Sequence, residues 1–295
     1  MNLKMTLLSL ATALSLTSCM SWTPGWKPAP IASPVTEEGS AVSVAEGDAL
    51  VEKAGDAQSL RRAIAAYENV LASTPDDARL LGRLAETHVL YGAAYANDAR
   101  EKGRWYRAGI RYAERAMATN EGFRSRIAAD GSIGDAVSAL TADEDEMHAM
   151  LLWVTGVSYY FKECTGPRAL VYFRWMLRTK EVMERMLALN PEFENGAVLF
   201  SLGIYHLALP PGAGRDMKRS EEFLTRAVAA SGSSLLPRWG RAKYFHERTG
   251  NRAGFVEDLE WVLAQEPHAT GSPYAWNVYF QRDAREMLAK TAGNP

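Results

Sequence analysis

Ala63-Ile64-Ala65-Ala66-Tyr67-Glu68-Asn69-Val70-Leu71-Ala72-Ser73-Thr74-Pro75 decides the fold, because Ala63, Tyr67, Val70 and Pro75 stand four, three and five residues apart. The same spacing returns in Thr179, Met183, Met186, Pro191; in Ser220, Leu224, Ala227, Gly232; and in Phe255, Leu259, Val262, Pro267. Positions four and seven along lie on one face of a helix, where alternating small and large side chains let a neighbouring helix dock. Pro or Gly then ends the helix. One such set is common in amphipathic helices, but four in one chain match the second helix of tetratricopeptide repeats.

First-helix partners stand at their own spacing: Leu152, Thr155, Gly156, Tyr159, and Leu199, Leu202, Gly203, His206. Glycine inside a helix costs about 1 kcal/mol relative to alanine, so Gly156 and Gly203 are expected where helix backbones approach closely. The register is uneven. Gly232 lies 35 residues before Pro267, near the repeat period, whereas Pro191 lies 41 before Gly232. The surplus coincides with Leu209-Pro210-Pro211-Gly212-Ala213-Gly214-Arg215-Asp216, which cannot be helical and is expected to loop out on the binding face. A second interruption, Asn120 to Thr141, carries Gly122, Gly131 and Gly134. No stretch alternates with period two over strand length. The expectation is an all-α fold, an α-α superhelix of tetratricopeptide-like helical hairpins, over 56–292.

Upstream of it, Lys4, the apolar run Met5 to Leu16 and Leu16-Thr17-Ser18-Cys19 resemble the signal of a bacterial lipoprotein. The run is too short to span a bilayer, which takes roughly 20 residues. The resemblance implies a signal peptide over 1–18, cleavage before Cys19 and lipid attachment to Cys19. By analogy with lipoprotein sorting in Gram-negative bacteria, Met20-Ser21 without aspartate points to the outer membrane, on its periplasmic side. Residues 19–55 are expected to form the lipidated cysteine and a tether, with Pro24, Pro28, Pro30 and Pro34 forbidding a regular helix. About 25 tether residues would reach roughly 28 Å as a coil or about 80 Å in polyproline geometry.

Removing 18 of 295 residues leaves 277, enough for one continuous core. The formal charge, −2 overall and −3 without Lys4, supplies no field that favours nucleic acid. With Cys19 acylated, Cys164 has no partner for an internal disulfide, so packing must supply stability. Catalytic patterns are thin: there is no Gly-x-Ser-x-Gly elbow, phosphate loop or nucleotide fingerprint. Glu144 and His148 share an i, i+4 spacing but lack the companions of a metal site. Asp143 to Glu146 suit a helix start, and Cys164 reads as a buried small side chain. No enzyme, metal or cofactor is expected.

Trp153-Val154-Thr155-Gly156, Gly203-Ile204-Tyr205-His206-Leu207-Ala208-Leu209-Pro210, Gly214-Arg215-Asp216-Met217-Lys218-Arg219-Ser220 with Phe223 and Ala227, and the closing Asn277 to Leu288 resemble the T component of TRAP transporters. The resemblance implies a periplasmic lipoprotein that forms homotrimers and binds the solute-binding P component of a tripartite ATP-independent periplasmic transporter, with a ligand conduit in each protomer. Gly214-Arg215-Asp216 and Arg219-Ser220 depart from the family's paired glycines and Lys-Ala. A scaffold for outer-membrane or envelope assembly is the alternative.

Aromatic residues crowd two consecutive helices joined by Gly166-Pro167: Trp153, Tyr159, Tyr160, Phe161, Tyr172, Phe173 and Trp175. Most must make core, and the rest could line an apolar channel. The lining candidates are Trp153, Tyr159 and His206, with Pro210, Pro211, Arg215 and Asp216 from the loop. Arg215 and Asp216 read more readily as a local turn pair than as a ligand clamp. Arg100, Arg104, Arg107, Arg111 and Arg115 form one basic stripe on a helix, a solvated face aided by Glu101 and Glu114 or a docking surface for an acidic partner.

Overall fold

The computed structural model describes residues 24–26, 44–130, 132–166, 169–268, 270 and 272–292. The expected signal peptide, Cys19 and most of the tether lie outside these, as do Gly131, Pro167 and the side chain of Tyr172. Every regular element among the described residues is helical, as the periodicity requires. The helices are α1 (Val44–Val51), α2 (Ala57–Leu71), α3 (Ala78–Ala94), α4 (Ala99–Met117), α5 (Glu121–Asp130), α6 (Ile133–Ala136), α7 (Glu144–Cys164), α8 (Ala169–Leu189), α9 (Phe193–Ala208), α10 (Met217–Ala230), α11 (Leu236–Gly240), α12 (Glu247–Thr249), α13 (Arg252–Leu263) and α14 (Tyr274–Ala292). A wider, π-type turn, Arg241–His246, joins α11 to α12.

Short acidic or amide side chains start the hairpin helices. Asp56, Asp77, Asp98, Asp143, Asp216 and Asn251 each accept a backbone N–H from the first turn that follows. These bonds satisfy donors that a helix end otherwise leaves unpaired. Successive helices then pack in chain order, α1 on α2 through α4 on α7, then α7 on α8 through α10 on α11, and α13 on α14. The last helix also returns to α3, where Trp276 donates to Glu86 at 3.0 Å and Arg282 donates to the carbonyl of Ala94.

The repeated spacing does what the sequence predicts. Ala63, Tyr67, Thr179, Met183, Met186, Ser220, Leu224, Ala227, Phe255, Leu259 and Val262 are all buried and Val70 is half-buried, while the terminating Pro75, Pro191 and Gly232 are exposed and Pro267 is half-buried. The two helical glycines sit at close crossings. A Cβ on Gly203 would lie 2.7 Å from Leu224 Cγ, and one on Gly156 would lie 2.8 Å from Ile110 Cγ1. One core joins Leu60, Leu81, Ile110, Trp153, Met186 and Trp239 across the chain, and a smaller one joins Leu199, Phe200, Leu224 and Phe245.

Two segments differ from their sequence reading. Asn120 to Thr141 is largely helical, as α5, α6 and the short 3-10 helix Val137–Ala139, because Phe123, Ile127, Ile133 and Val137 bury an apolar side that overrides the glycines. The folded body also starts before Asp56. Helix α1 packs on α2, Tyr67 donates its hydroxyl to Asp48 at 2.6 Å, and Arg83 pairs with Asp48 at the same distance.

Candidate functional site

The strongest convergence of aromatic and charged side chains lies between α4, α7, the π-type turn and α14. Tyr106 and Tyr159 stack with centroids 5.5 Å apart. Across from them Trp239 meets Tyr244 at 5.8 Å, Tyr279 at 5.7 Å and Phe280 at 4.6 Å. The wider turn puts Lys243 and Tyr244 on the side facing this group, a geometry often found where helices carry function. Two carboxylates fasten the walls. Glu163 accepts from Tyr106 at 2.7 Å and pairs with Lys102 at 2.9 Å. Asp283 accepts from Trp239 and pairs with Lys243, both at 2.8 Å.

Low local polarity shifts these groups in one sense. Burial, with the Glu163 charge, holds the phenols of Tyr106 and Tyr159 far above the ordinary tyrosine range, so both remain neutral donors. Lys162 reaches solvent at the rim, its ammonium 4.0 Å from the Tyr244 ring centroid. The atoms crowding it and the nearby Lys243 charge pull its pKa down to about 8. Tyr106, Trp239, Tyr279 and Phe280 are buried, so what the group presents at its rim is the half-buried Tyr159 and Tyr244 and the ammonium of Lys162. Such a surface orients a small amphipathic molecule by few polar contacts over apolar area.

A second polar group lies toward the start of α14. His148 Nδ1 is 2.6 Å from Glu194, and its Nε2 is 3.8 Å from Glu86. Burial opposes the imidazolium, but the bond to Glu194 and both carboxylate charges outweigh it and raise the pKa to about 9. Burial holds the Glu86 carboxyl above its ordinary range. Glu194 reaches His148 from a left-handed backbone, φ 46°, followed by Asn195 at φ 55°. Such strain in two non-glycine residues persists only where surrounding contacts enforce it. Beside this group a cleft of about 240 Å³ is lined by Asp48, Tyr67, Arg83, Glu86 and Pro273, and a neighbouring one of about 400 Å³ by Glu52, His268 and Tyr274.

The sequence candidates fall in separate places. Tyr159 lies in the aromatic group. Trp153 is fully buried on another side of α7, donates to Glu114 at 3.2 Å and sits 6.2 Å from Trp175. His206 is buried and stacked on Phe223 at 5.8 Å, with Nδ1 unpartnered; burial and the Arg219 charge lower its pKa. Pro210 and Pro211 are exposed. Arg215 donates to the carbonyl of Leu209 at 2.7 Å, and Asp216 caps α10 through Arg219 N–H at 2.9 Å. On the basic stripe Arg100, Arg104 and Arg111 are exposed, whereas Arg107 lies over Tyr160 and Arg115 over Tyr112. Glu114 is fully buried and so cannot neutralise that face in solvent. Burial, with Glu163, pushes the Cys164 thiol up to about 11.

Tyr106, Trp239, Lys243, Tyr244, Tyr279 and Asp283 were not legible as a site, because they come from three stretches far apart in sequence: α4, α11 with the turn that continues it, and α14. The one available signal was the aromatic spacing of Trp276, Tyr279 and Phe280 beside Asp283. Among the described residues no group of three or more His, Cys, Asp or Glu is placed to hold a metal ion, and no helix is long and apolar enough to cross a membrane.

Comparison with known proteins places this geometry in context. No curated protein matches the chain. The sequence model of one family, described as TRAP transporter T-component, matches residues 56–293, the span of the helical body from α2 to its end. That family is a transporter accessory component and not an enzyme family. With so much of its length matched, the chain belongs to the TRAP transporter T-component family.

Proposed function

We propose that this protein is the lipid-anchored periplasmic accessory component of a tripartite ATP-independent periplasmic transporter, binding the solute-binding P component and taking a small ligand from it for handover. The observation that carries the reading is the family match over the helical body from α2 onward. Anchoring follows from the lipoprotein-like signal ending at Cys19, with the outer membrane as the address and a homotrimer as the working form. Ligand contact falls to the half-buried Tyr159 and Tyr244, with Tyr106 and Tyr279 packed behind them, while Lys162 supplies a charge at the rim. Trp153 and His206 support this by packing, and Pro210, Pro211, Arg215 and Asp216 shape the adjoining loop. Arg100 and Arg104, exposed on α4, are the docking cations for an acidic partner surface.

The test is sedimentation of residues 19–295, with Cys19→Ser to remove the lipid, mixed at micromolar concentration with the cognate solute-binding protein. A complex is expected, weakened at least about tenfold by Arg100→Glu with Arg104→Glu, a loss equal to about 1.4 kcal/mol. A mixture that sediments as two separate species overturns the reading.

A further inference from the structure

Pro24-Gly25-Trp26, which the sequence reads as free tether, is seated on the folded body. Pro24 is buried and Gly25 and Trp26 are half-buried. The Gly25 N–H donates to Glu114 at 2.5 Å, and Trp26 packs edge-on against Phe123 of α5 with centroids 6.2 Å apart. Glu114 is fully buried and also accepts the Trp153 indole N–H. A buried carboxylate needs such donors, so the tether supplies part of what makes Glu114 tolerable there. The fit is also steric: a Cβ on Gly25 would stand 2.1 Å from the carbonyl oxygen of Arg111.

We propose that this segment is a staple that fixes the domain's orientation on its membrane, with the α4–α5 corner turned toward an anionic bilayer; this rests on the lipid-anchor reading of Cys19. Only four residues, Met20 to Thr23, separate Cys19 from Pro24, five Cα steps that extended backbone spans in about 17 Å. The reach that matters is therefore this short one and not the full tether. The corner thus brought near the surface exposes three arginines. Arg111, Arg124 and Arg126 are exposed there, and none of them forms an ion pair with a carboxylate among the described residues. Arg124 and Arg126 donate to the carbonyl of Ala118 and the hydroxyl of Ser138, which leaves their charge unneutralised. Glu121 and Asp130 stand at the ends of α5 and Asp135 on the adjoining α6, so the pull on a headgroup is local to the arginines and not a net charge of the corner. Cations near an anionic surface are attracted within about a Debye length, so the stapled corner suits phosphatidylglycerol headgroups. Arg100 and Arg104, toward the other end of α4, stay available to a protein partner.

Two measurements test the staple separately from the anchor. In the Cys19→Ser chain, hydrogen exchange of the Gly25 amide is expected to be slow, and to quicken at least about tenfold in Gly25→Ala and in Trp26→Ala with the helical circular dichroism unchanged. Fast exchange in the parent chain overturns the staple whatever the fate of Cys19. In natively lipidated protein on phosphatidylglycerol-containing vesicles, a fluorophore at Arg124→Cys in a Cys164→Ser background should be quenched by headgroup-borne quencher more than one at Lys218→Cys. Trp26→Ala should erase that difference. Equal quenching at both positions overturns the orientation, and a chain that fails to float with vesicles overturns the anchor reading and the orientation together while leaving the Gly25 measurement to stand by itself.

Discussion

His148 shows how much a single residue's surroundings can move its charge. Its side chain is a quarter exposed, yet Glu194 and Glu86 hold its pKa at about 9, above the ordinary value of 6.5. A group whose folded pKa is raised stabilises the fold fully below its unfolded pKa and loses that contribution as pH rises through the folded one. The parent chain is therefore expected to lose denaturation midpoint between about pH 6.5 and pH 9 relative to His148→Gln, whose difference from the parent should be largest near pH 6 and vanish by pH 10. Urea melts across that range check it, and parallel curves refute it. The i, i+4 pairing of Glu144 with His148 was visible in sequence, but the true partners come from α3 and the start of α9. No local spacing encodes those. Glu194 in particular reaches His148 only because three successive residues adopt positive φ, which no residue pattern other than Asn195-Gly196 hints at.

Helix crossings are the element scale, and there the sequence was most readable. The positions that predicted hairpin packing are buried because the periodicity of one helix face is a local property that packing merely uses. Ala227 is fully buried beside the entry to α9, where its carbonyl oxygen would lie 3.2 Å from a Cβ on Gly196. Replacing it with leucine adds three carbons to a crossing with no room for them, and should destabilise the fold by about 1 to 3 kcal/mol. A calorimetric melt should show a fall of several degrees, at roughly 2 to 4 °C per kcal/mol for a domain of this size. An unchanged melting temperature would mean that the α9–α10 register is wrong. The loop from Leu209 to Asp216 was legible as a loop from its prolines and glycines, but its role was not. Arg215 and Asp216 complete their hydrogen bonds within the turn, so the pair braces α9 against α10.

At the scale of the whole molecule, α14 decides more than any repeat. Its indole and guanidinium groups reach back to α3 across about 190 residues, and its Asn277 side chain ties the preceding loop through the carbonyls of Pro267 and Ser272. Those contacts were invisible in sequence, since a contact between distant helices leaves no periodic trace. Ending the chain after Pro273 should strip Trp239 and Tyr159 of their cover. The shortened protein is expected to bind a hydrophobic dye strongly and to melt without a sharp transition, whereas a crisp melt and weak dye binding would show that the remaining helices stand alone. Open solenoids grow or shrink by whole modules because each unit touches only its neighbours. Here the last helix packs back on the third, so α14 touches an element remote in the chain as well as its neighbour α13. A hairpin inserted between those two helices would have to break the bonds of Trp276 to Glu86 and of Arg282 to Ala94, so a change of length carries a cost here that an open array escapes.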